Sequence, residues 1–404
     1  MQGEFTHASI VPLIGGETLG AHAAHGRAPE YFLSYSPFQG NDKHILNYYK
    51  SKYESDIPYI LLDQGGVHPY AVDVVHSVCP CAGLSMLSHG YGDHNPNNRW
   101  MAESTEYVLT NMKPRVLWGE NAPGFAGKVG DTVRNNLKRI GKENGYTMTV
   151  YRTRSLLHGI PQVRERSFYF FWRDDKVPML NYYNRSYTPI EQLLTNISSN
   201  FQTDPINKKT PSVDDPYYRY ILEELEGGIT HAQFAQQIPA ESARNADVLA
   251  YIETKTNYLE VAKWMEAKGY EKEVAKCKYR HEKLANGGSI MRRNTIVPRD
   301  YIGAFVGHYP VMLAHPTQDR YINYREAMTI MGMPQDFELV DANPRNANMI
   351  CQNVPVQTAT DMATEVVAYL KGERKMLDTD YIVQYNHSQT STYEEKASLE
   401  AFLA

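Results

Sequence analysis

The feature that most constrains the fold is an alternation of short apolar segments with helical segments over residues 10–172. Apolar runs at 10–14, 31–33, 72–78, 115–119, 147–151 and 167–172 predict strands, and helical patterns at 19–24, 101–112 and 132–144 lie between them. In the last helix, Val133, Leu137 and Ile140 repeat on one face, and Gly145 ends it. This alternation predicts an α/β fold, doubly wound, with a mostly parallel sheet between layers of helices.

The pattern changes after about residue 175, which predicts a second, smaller, helix-rich domain. Residues 176–215 show no clear period, and helical patterns follow at 217–225, 240–254, 257–267 and 271–284. From about residue 301 the chain becomes compact again, with helices expected at 324–331 and 358–370. We expect residues 1–178 and 301–372 to form one catalytic domain. Residues 179–300 would be an inserted domain and residues 373–404 a C-terminal tail.

Composition narrows the class of protein. The 404 residues include only four cysteines, which excludes a disulfide scaffold and suits a reducing compartment. We find neither a signal peptide nor an apolar run of ~18 residues, so the expected location is the cytoplasm. The net charge of −5 argues mildly against a nucleic-acid partner. However, residues 276–299 contain seven Lys and Arg residues against one Glu, which is either a solvated surface or a basic binding face.

Three short motifs carry reactive side chains close to predicted strand ends, where open α/β sheets place their sites. A cysteine within Cys79-Pro80-Cys81 could be a nucleophile or a buried structural residue. Glu120 could be a general acid or a salt-bridge partner. Arg164 and Arg166 alternate along a strand, so they point together either at an anion or into a surface ion-pair ladder.

Two further segments are ambiguous when taken alone. Gly15 and Gly16 follow the first predicted strand and would let the backbone approach a ligand, but their spacing is not the dinucleotide fingerprint. Asn353-Val354-Pro355 precedes the last predicted helix. His76 and His89 flank the cysteine pair without a recognised metal-binding pattern, so no metal is expected.

The order of these motifs resembles that of the DNA cytosine-5 methyltransferases. The matching segments are Pro80-Cys81 for Pro-Cys, Glu120-Asn121-Ala122 for Glu-Asn-Val, Gln162-Val163-Arg164-Glu165-Arg166 for Gln-x-Arg-x-Arg, Arg320 with Arg325-Glu326-Ala327, and Asn353-Val354-Pro355. The resemblance spans about residues 8–172 and 290–370. Each motif is weak by itself, but five in the family's order are specific.

The resemblance implies S-adenosylmethionine as cofactor and double-stranded DNA as partner. It implies that Cys81 is the nucleophile, that Glu120 and Arg164 are the other catalytic residues, and that the cytosine is flipped out of the helix. The residues implied in cofactor binding are Leu13, Ile14, Gly15, Gly16, Asp63, Pro80, Asn353 and Val354. Those implied in DNA binding are Ser85, Arg166, Arg292 and Arg293. Residues 85–100 would form a lid, and the inserted domain would recognise the target.

The sequence departs from the family in its first motif, Phe-x-Gly-x-Gly-Gly, which here is Val11-Pro12-Leu13-Ile14-Gly15-Gly16. The acid expected after the second strand, which would hold the ribose hydroxyls, has no match within residues 33–38. Asp63 is the nearest candidate for an acid beside the adenine. We therefore expect weakened binding of the donor.

Three alternative functions stay open. One is an enzyme of the same chemistry that transfers a different one-carbon unit or uses a modified donor, as the altered first motif suggests. Another is methylation of tRNA, which the large insert disfavours. The third is a catalytically silent DNA-binding relative, which the intact Cys81, Glu120 and Arg164 disfavour. The mass of the product nucleoside separates the first from DNA methylation.

Overall fold

The computed structural model describes residues 3–54, 56–80, 82–85, 92, 95–195, 197, 212–237, 247–290, 299–305, 313–340 and 343–386. Its strands are β1 (His7–Ile10), β2 (Phe32–Ser34), β3 (Tyr59–Leu61), β4 (Val74–Val78), β5 (Val116–Asn121), β6 (Thr147–Arg154), β7 (Gln162–Val163), β8 (Glu165–Trp172), β9 (Val177–Pro178), β10 (Ile302–Gly303), β11 (Met376–Leu377) and β12 (Tyr381–Tyr385). Eight of these strands form one sheet, in the order β12-β6-β8-β5-β4-β1-β2-β3. Only β8 runs antiparallel to its neighbours β5 and β6, so the sheet is mostly parallel as predicted.

The helices are α1 (Gly16–His25), α2 (Gln39–Tyr53), α3 (Asn98–Tyr107), α4 (Asp131–Glu143), α5 (Ile190–Thr195), α6 (Pro216–Tyr220), α7 (His231–Gln237), α8 (Val248–Lys255), α9 (Tyr258–Ala267), α10 (Glu271–Ala285), α11 (Tyr324–Ile330), α12 (Asn343–Gln352) and α13 (Val356–Leu370). Short π-helical turns continue α3 through Val108–Met112 and α6 through Ile221–Leu225. The predicted helices at 101–112 and 217–225 therefore exist, but each changes its winding part-way.

Helices cover both faces of the central sheet. On one face, Glu17 of α1 contacts His76 of β4, and the ring of Tyr369 in α13 lies 4.7 Å from that of Trp172 in β8. On the other face, α4 packs so closely that a side chain on Gly141 would collide with the Phe171 ring. Because successive residues of a strand point to opposite faces, Phe171 and Trp172 anchor helices on opposite sides. The doubly wound α/β fold is confirmed.

The helix-rich second domain is also confirmed. Helices α6 to α10 bury their apolar faces against one another in a separate cluster that includes Tyr218, Ile252, Val261 and Cys277. Helix α5 does not join this cluster, because Ile190 and other residues of α5 pack against the cluster around α11 and α12. The helical domain's own core therefore begins after the connector, near residue 213, while the domain boundaries predicted above stay predictions.

Several elements differ from the sequence-based expectations. The first strand ends at Ile10, and residues 11–14 form a loop instead of continuing it. Helices α2 and α12 and strand β3 were not predicted. Residues 381–385, expected in a tail, pair with β6 and form the edge of the central sheet. The remainder of the expected tail, 387–404, lies outside the described residues.

Candidate active site

The loop after β1 turns sharply at the carboxyl edge of the sheet. Val11, Leu13 and Gly15 all have left-handed φ angles, of 55°, 51° and 102°. This conformation is uncommon for Leu and an outlier for a β-branched Val. At Gly15 a side chain would lie 2.4 Å from Ile45 of α2, so both the conformation and the packing require glycine. The loop thus keeps a glycine-type turn even where Leu13 replaces glycine, at a cost of about 1–3 kcal/mol per strained residue.

Asn353 and Val354 close directly over the start of α1. The Asn353 side-chain oxygen accepts a hydrogen bond from the Gly16 N–H at 2.9 Å, which satisfies one of the unpaired donors of the helix N-terminus. A side chain on Gly16 would lie 2.0 Å from the Val354 carbonyl oxygen. Residues expected to share the cofactor site therefore meet, although the sequence separates them by 337 positions.

A buried carboxylate that was not among the expected site residues supports this loop. Asp42 of α2 accepts hydrogen bonds from the Leu13 N–H at 3.0 Å, the Ser34 hydroxyl at 2.5 Å and the Tyr59 hydroxyl at 2.8 Å. Burial raises the pKa of Asp42 to about 7, against the opposing effect of these three hydrogen bonds. Asp42 therefore ties the loop to the carboxyl end of β2 and to the first residue of β3.

Three aromatic side chains lie beside the carboxyl end of β2. The ring centroid of Trp100 is 4.9 Å from that of Tyr35 and 5.2 Å from that of Phe38. Asp63 follows β3, and its exposed carboxylate accepts the Ser36 N–H at 2.9 and 3.0 Å. Tyr35 and Phe38 are buried and Trp100 is half-buried, so the group offers one partly exposed ring and one solvent-exposed carboxylate, which are features that suit a nucleoside.

Cys79, the last residue before Pro80, is held inside the protein. Its sulfur lies 3.1 Å from the hydroxyl oxygens of both Ser77 and Ser104, and it is only 1% exposed. Burial raises the pKa of the Cys79 thiol, which disfavours the nucleophilic thiolate. Cys81 lies outside the described residues, as do half of the expected lid and the expected DNA contacts Arg292 and Arg293. Ser85 is described as half-buried, after a short turn at 82–84.

Glu120 is buried at the carboxyl end of β5, beside the end of β4 that leads to Pro80. Its carboxylate forms an ion pair with Arg166 of β8. Burial raises the pKa of Glu120, while the positive charges of Arg166 and Arg164 oppose that rise. The result is a carboxyl group that can exchange a proton more readily near neutral pH than an exposed glutamate.

The two arginines of the Gln-x-Arg-x-Arg motif have different surroundings. Arg166 contacts Glu120, although we expected it to bind DNA. Arg164 is 1% exposed and donates to the carbonyl oxygens of Phe305 at 3.2 Å and Cys351 at 2.6 Å. It thereby joins β7 and β8 to the returning segment of the chain. The direct partner of Glu120 is thus Arg166, and Arg164 acts on Glu120 through its charge.

The sequence matches the family of C-5 cytosine-specific DNA methylases over residues 5–368. This is about nine-tenths of the chain. The chain belongs to this family. No curated protein gives a significant match to it.

Two solved structures show the same fold as this methylase family member. One is an E. coli prophage protein assigned as a DNA modification methyltransferase, with 15% identity and a TM-score of 0.53, covering 91% of this chain and 100% of its own. The other is the Entamoeba histolytica methyltransferase EhMeth, with 12% identity and a TM-score of 0.53, covering 91% and 99%. At these identities the likeness concerns the fold.

The Arg-Glu-Ala segment of this methylase supports the returning part of the domain. Arg320 makes a two-pronged ion pair with Glu326, at 2.8 and 2.7 Å. The side chain of Asn323 and that of Glu326 form a reciprocal capping box at the start of α11. All these contacts lie within residues 320–326 and hold the start of α11 in place. We therefore assign the Arg-Glu-Ala motif a structural role.

The described residues include neither a candidate membrane-spanning helix nor a candidate metal-binding cluster. No helix in the described part of the methylase combines the length and the apolar character that crossing a membrane requires. Within the same residues, no group of three or more His, Cys, Asp or Glu side chains is arranged to hold a metal ion.

Proposed function

We propose that this methylase transfers a methyl group from S-adenosylmethionine to carbon 5 of a cytosine flipped out of double-stranded DNA. The observation that carries the proposal is the buried Glu120–Arg166 pair, at the carboxyl edge where β4 leads into Pro80-Cys81. Open α/β sheets bind their ligands at this edge. A buried carboxyl beside a cysteine motif is the combination that addition to a pyrimidine ring requires.

Carbon 5 of cytosine is too weak a nucleophile to take a methyl group unaided. In the proposed mechanism the Cys81 thiolate forms a bond to carbon 6, while Glu120 donates a proton to ring nitrogen 3. The ring then reacts as an enamine at carbon 5. After methylation, solvent takes the carbon 5 proton, the bond to sulfur breaks with release of the Cys81 thiolate, and nitrogen 3 returns its proton to Glu120. Arg166 keeps the Glu120 carboxyl oriented throughout.

The residues at the β1–β2 edge fit a nucleoside-bearing cofactor in part. S-adenosylmethionine would supply an electrophilic methyl group. The half-buried Trp100, packed against the buried Tyr35 and Phe38, offers apolar surface for its adenine, and the exposed Asp63 carboxylate is available to its ribose. The buried Asp42 carboxylate already serves three internal donors. In the described part of the chain, the site therefore lacks one strong contact, that of a buried carboxylate with the ribose hydroxyls of the cofactor.

Replacing Asp63 with asparagine is expected to lower the affinity for S-adenosylmethionine about tenfold. A charge-assisted hydrogen bond contributes about 1.5–3 kcal/mol, which corresponds to roughly ten- to a hundredfold in Kd, and exposure places this one at the low end. Titration calorimetry on the purified chain measures the effect. Asp56→Asn, an exposed neighbour before β3 paired with Lys50 across 3.8 Å, is the matched control and should leave the Kd unchanged. Equal affinity of the Asp63 variant and the unaltered chain would exclude Asp63 from the site.

The second domain presents a basic stripe suited to the DNA backbone. Along α10, Lys272, Lys276, Tyr279 and Lys283 lie on one face, and the tyrosine is 60% exposed. We call these four residues the α10 stripe. Arg280 of the same helix instead stacks on Tyr217, with its guanidinium carbon 4.7 Å from the ring centroid. The stripe provides positive charge for phosphate contacts, which position a duplex without reading its sequence.

Charge reversal on the α10 stripe is expected to weaken binding of all DNA sequences alike. Each lost phosphate contact makes the negative slope of log K against log salt concentration shallower by about 0.9. Lys276→Glu with Lys283→Glu should therefore make it shallower by about 2. Fluorescence anisotropy over a salt series measures both quantities. A matched variant carries Lys142→Glu and Lys138→Glu on α4 of the catalytic domain. An identical loss of affinity in that variant would show a general charge effect.

The same salt-series test applies to Arg292→Glu with Arg293→Glu, for which we also expect a loss of DNA affinity.

The reaction itself is tested by nucleoside mass spectrometry of DNA from cells that express the chain. We expect 5-methylcytosine. The sequence directly after β2, Tyr35-Ser36-Pro37-Phe38, contains no acidic residue, which favours one second candidate: transfer from a modified donor. A heavier substituent at carbon 5 would support that candidate. Unmodified DNA, from a chain shown to bind both DNA and cofactor, would contradict both.

A further inference from the structure

A chain of buried polar side chains lies behind the site, on the face of the sheet that carries α1. Its members are Glu17 in the first turn of α1, His76 in β4 and His7 in β1, each no more than 1% exposed. The Glu17 carboxyl lies 3.2 Å from His76 Nδ1, His76 Nε2 lies 3.2 Å from His7 Nδ1, and His7 Nε2 lies 2.9 Å from the Arg27 carbonyl oxygen. The proposed mechanism uses none of these groups.

The backbone carbonyl at the end of this chain determines the direction of every hydrogen bond in it. A carbonyl oxygen only accepts, so His7 Nε2 must donate to the Arg27 oxygen, which leaves neutral His7 with Nδ1 as an acceptor. His76 Nε2 must therefore donate to His7, and neutral His76 then has an acceptor at Nδ1. Only a protonated Glu17 can satisfy that acceptor. The link between Glu17 and His76 thus contains one proton and no net charge.

Burial favours the neutral acid over an ion pair with the same proton count. Separating charge between two groups away from water costs far more than keeping both neutral. Burial lowers the pKa of His76 to about 3 and raises the pKa of Glu17 well above its usual value. The N-terminal end of α1 favours a negative Glu17, but this effect is smaller than the cost of burying the charge. Among the described residues, the second oxygen of Glu17, Oε2, has no hydrogen-bond partner, which a neutral carbonyl-type oxygen tolerates better than a carboxylate.

Glu17 and Glu120 share one face of the sheet. His76 pairs in register with Trp118, and Val78 pairs with Glu120 two residues further on, so these side chains point the same way. The charge of Glu120 is the second cause, after burial, of the raised pKa of Glu17. An ionised Glu17 would likewise raise the pKa of Glu120, and it would compete with Glu120 for the nearby positive charge of Arg166.

We infer that Glu17 is a neutral positioning residue, kept protonated by the His76–His7 chain so that α1 adds no second negative charge beside Glu120 and Arg166. This role rests on the proposed function of Glu120, whereas the protonation of Glu17 does not. Other titratable groups lie near Glu17, Glu120 and the two histidines. They are Cys79 and Tyr169 on the sheet, Arg164 beside Glu120, and His25 and His22 beside His7.

The protonation of Glu17 is tested without any turnover. Infrared difference spectra between the unaltered chain and Glu17→Gln should contain the carbonyl band of a carboxylic acid, and ¹⁵N spectra should show His76 neutral with its proton on Nε2. A carboxylate band together with an imidazolium at His76 would overturn the inference. Neither result depends on whether the chain methylates DNA.

The positioning role is tested by the pH dependence of kcat. Glu17→Gln presents an amide donor to His76 and stays neutral, so its high-pH limb should match that of the unaltered chain within about 0.2 pH units. His7→Phe removes the acceptor of His76 Nε2 and allows His76 to donate to an ionised Glu17. A new negative charge raises the pKa of Glu120, so we expect this limb to move to higher pH by at least about half a unit.

The double variant His7→Phe with Glu17→Gln decides between positioning and general damage. Its limb should return to that of the unaltered chain, because no ionisable group remains at residue 17. His25→Phe is the matched control, since His25 stacks on His7 at 4.7 Å but takes no part in the three-link chain, and its limb should not move. A shift that persists in the double variant, or no shift in His7→Phe, would overturn the role. If Glu120→Gln itself left turnover intact, the proposed function would fail instead.

Discussion

Replacing Cys81 with serine is expected to reduce methyl transfer by more than about 10⁴-fold, because the hydroxyl cannot form the thiolate that adds to carbon 6 in the proposed mechanism. The same variant should give no covalent adduct with DNA that contains 5-fluorocytosine. Radiolabel transfer measures turnover, and denaturing electrophoresis followed by peptide mapping locates the adduct. DNA affinity should be unchanged, which separates lost chemistry from lost binding.

Cys79→Ser is the matched control for this variant. It makes the same change two residues earlier, at a sulfur that is buried between the Ser77 and Ser104 hydroxyls. Its raised pKa and its lack of exposure both argue against a nucleophilic role. We therefore expect most of the turnover to remain, with a modest loss of stability. An adduct that maps to Cys79 would contradict the assignment.

Replacing Glu120 with glutamine is expected to lower kcat by about 10²–10⁴-fold, the usual contribution of a general acid. Glutamine keeps the size of the side chain and can still accept from Arg166, but it cannot protonate ring nitrogen 3. Single-turnover methyl transfer measures the loss, and KM for DNA should change little. A loss of less than about tenfold would exclude Glu120 as the proton donor.

The pH dependence of the unaltered chain gives a second view of Glu120. The reactive form is the protonated acid, so turnover should fall as pH rises through the pKa of Glu120, which burial raises. Cys81 titrates in the opposite sense, because its reactive form is the thiolate. Glu143→Gln, an exposed surface carboxylate on α4 paired with Arg139, is the control for Glu120→Gln and should leave both kcat and its pH profile unchanged.

The sequence by itself determined the class of fold and the general location of the site. Alternating strands and helices imply a doubly wound sheet, since each apolar segment must be covered on both faces. Glu120 could be named as a site residue because it lies at the end of a predicted strand, and a strand can be predicted from a short stretch of sequence. The motif order pointed to the family before any contact was known. Helix α2 was missed because its polar and aromatic residues show only a weak apolar period.

Only the tertiary structure decided which of these groups touch one another. Arg164 and Arg166 occupy equivalent positions in the motif, yet their contacts differ. Arg166 contacts Glu120, whereas Arg164 donates to the carbonyl oxygen of Cys351, 187 residues away in the sequence. Asp42 and Glu17 carry no motif, and their significance comes from burial and from partners on other elements. Hydrogen bonds and pKa values depend on distance and dielectric in space, and a local pattern of residues does not contain either quantity.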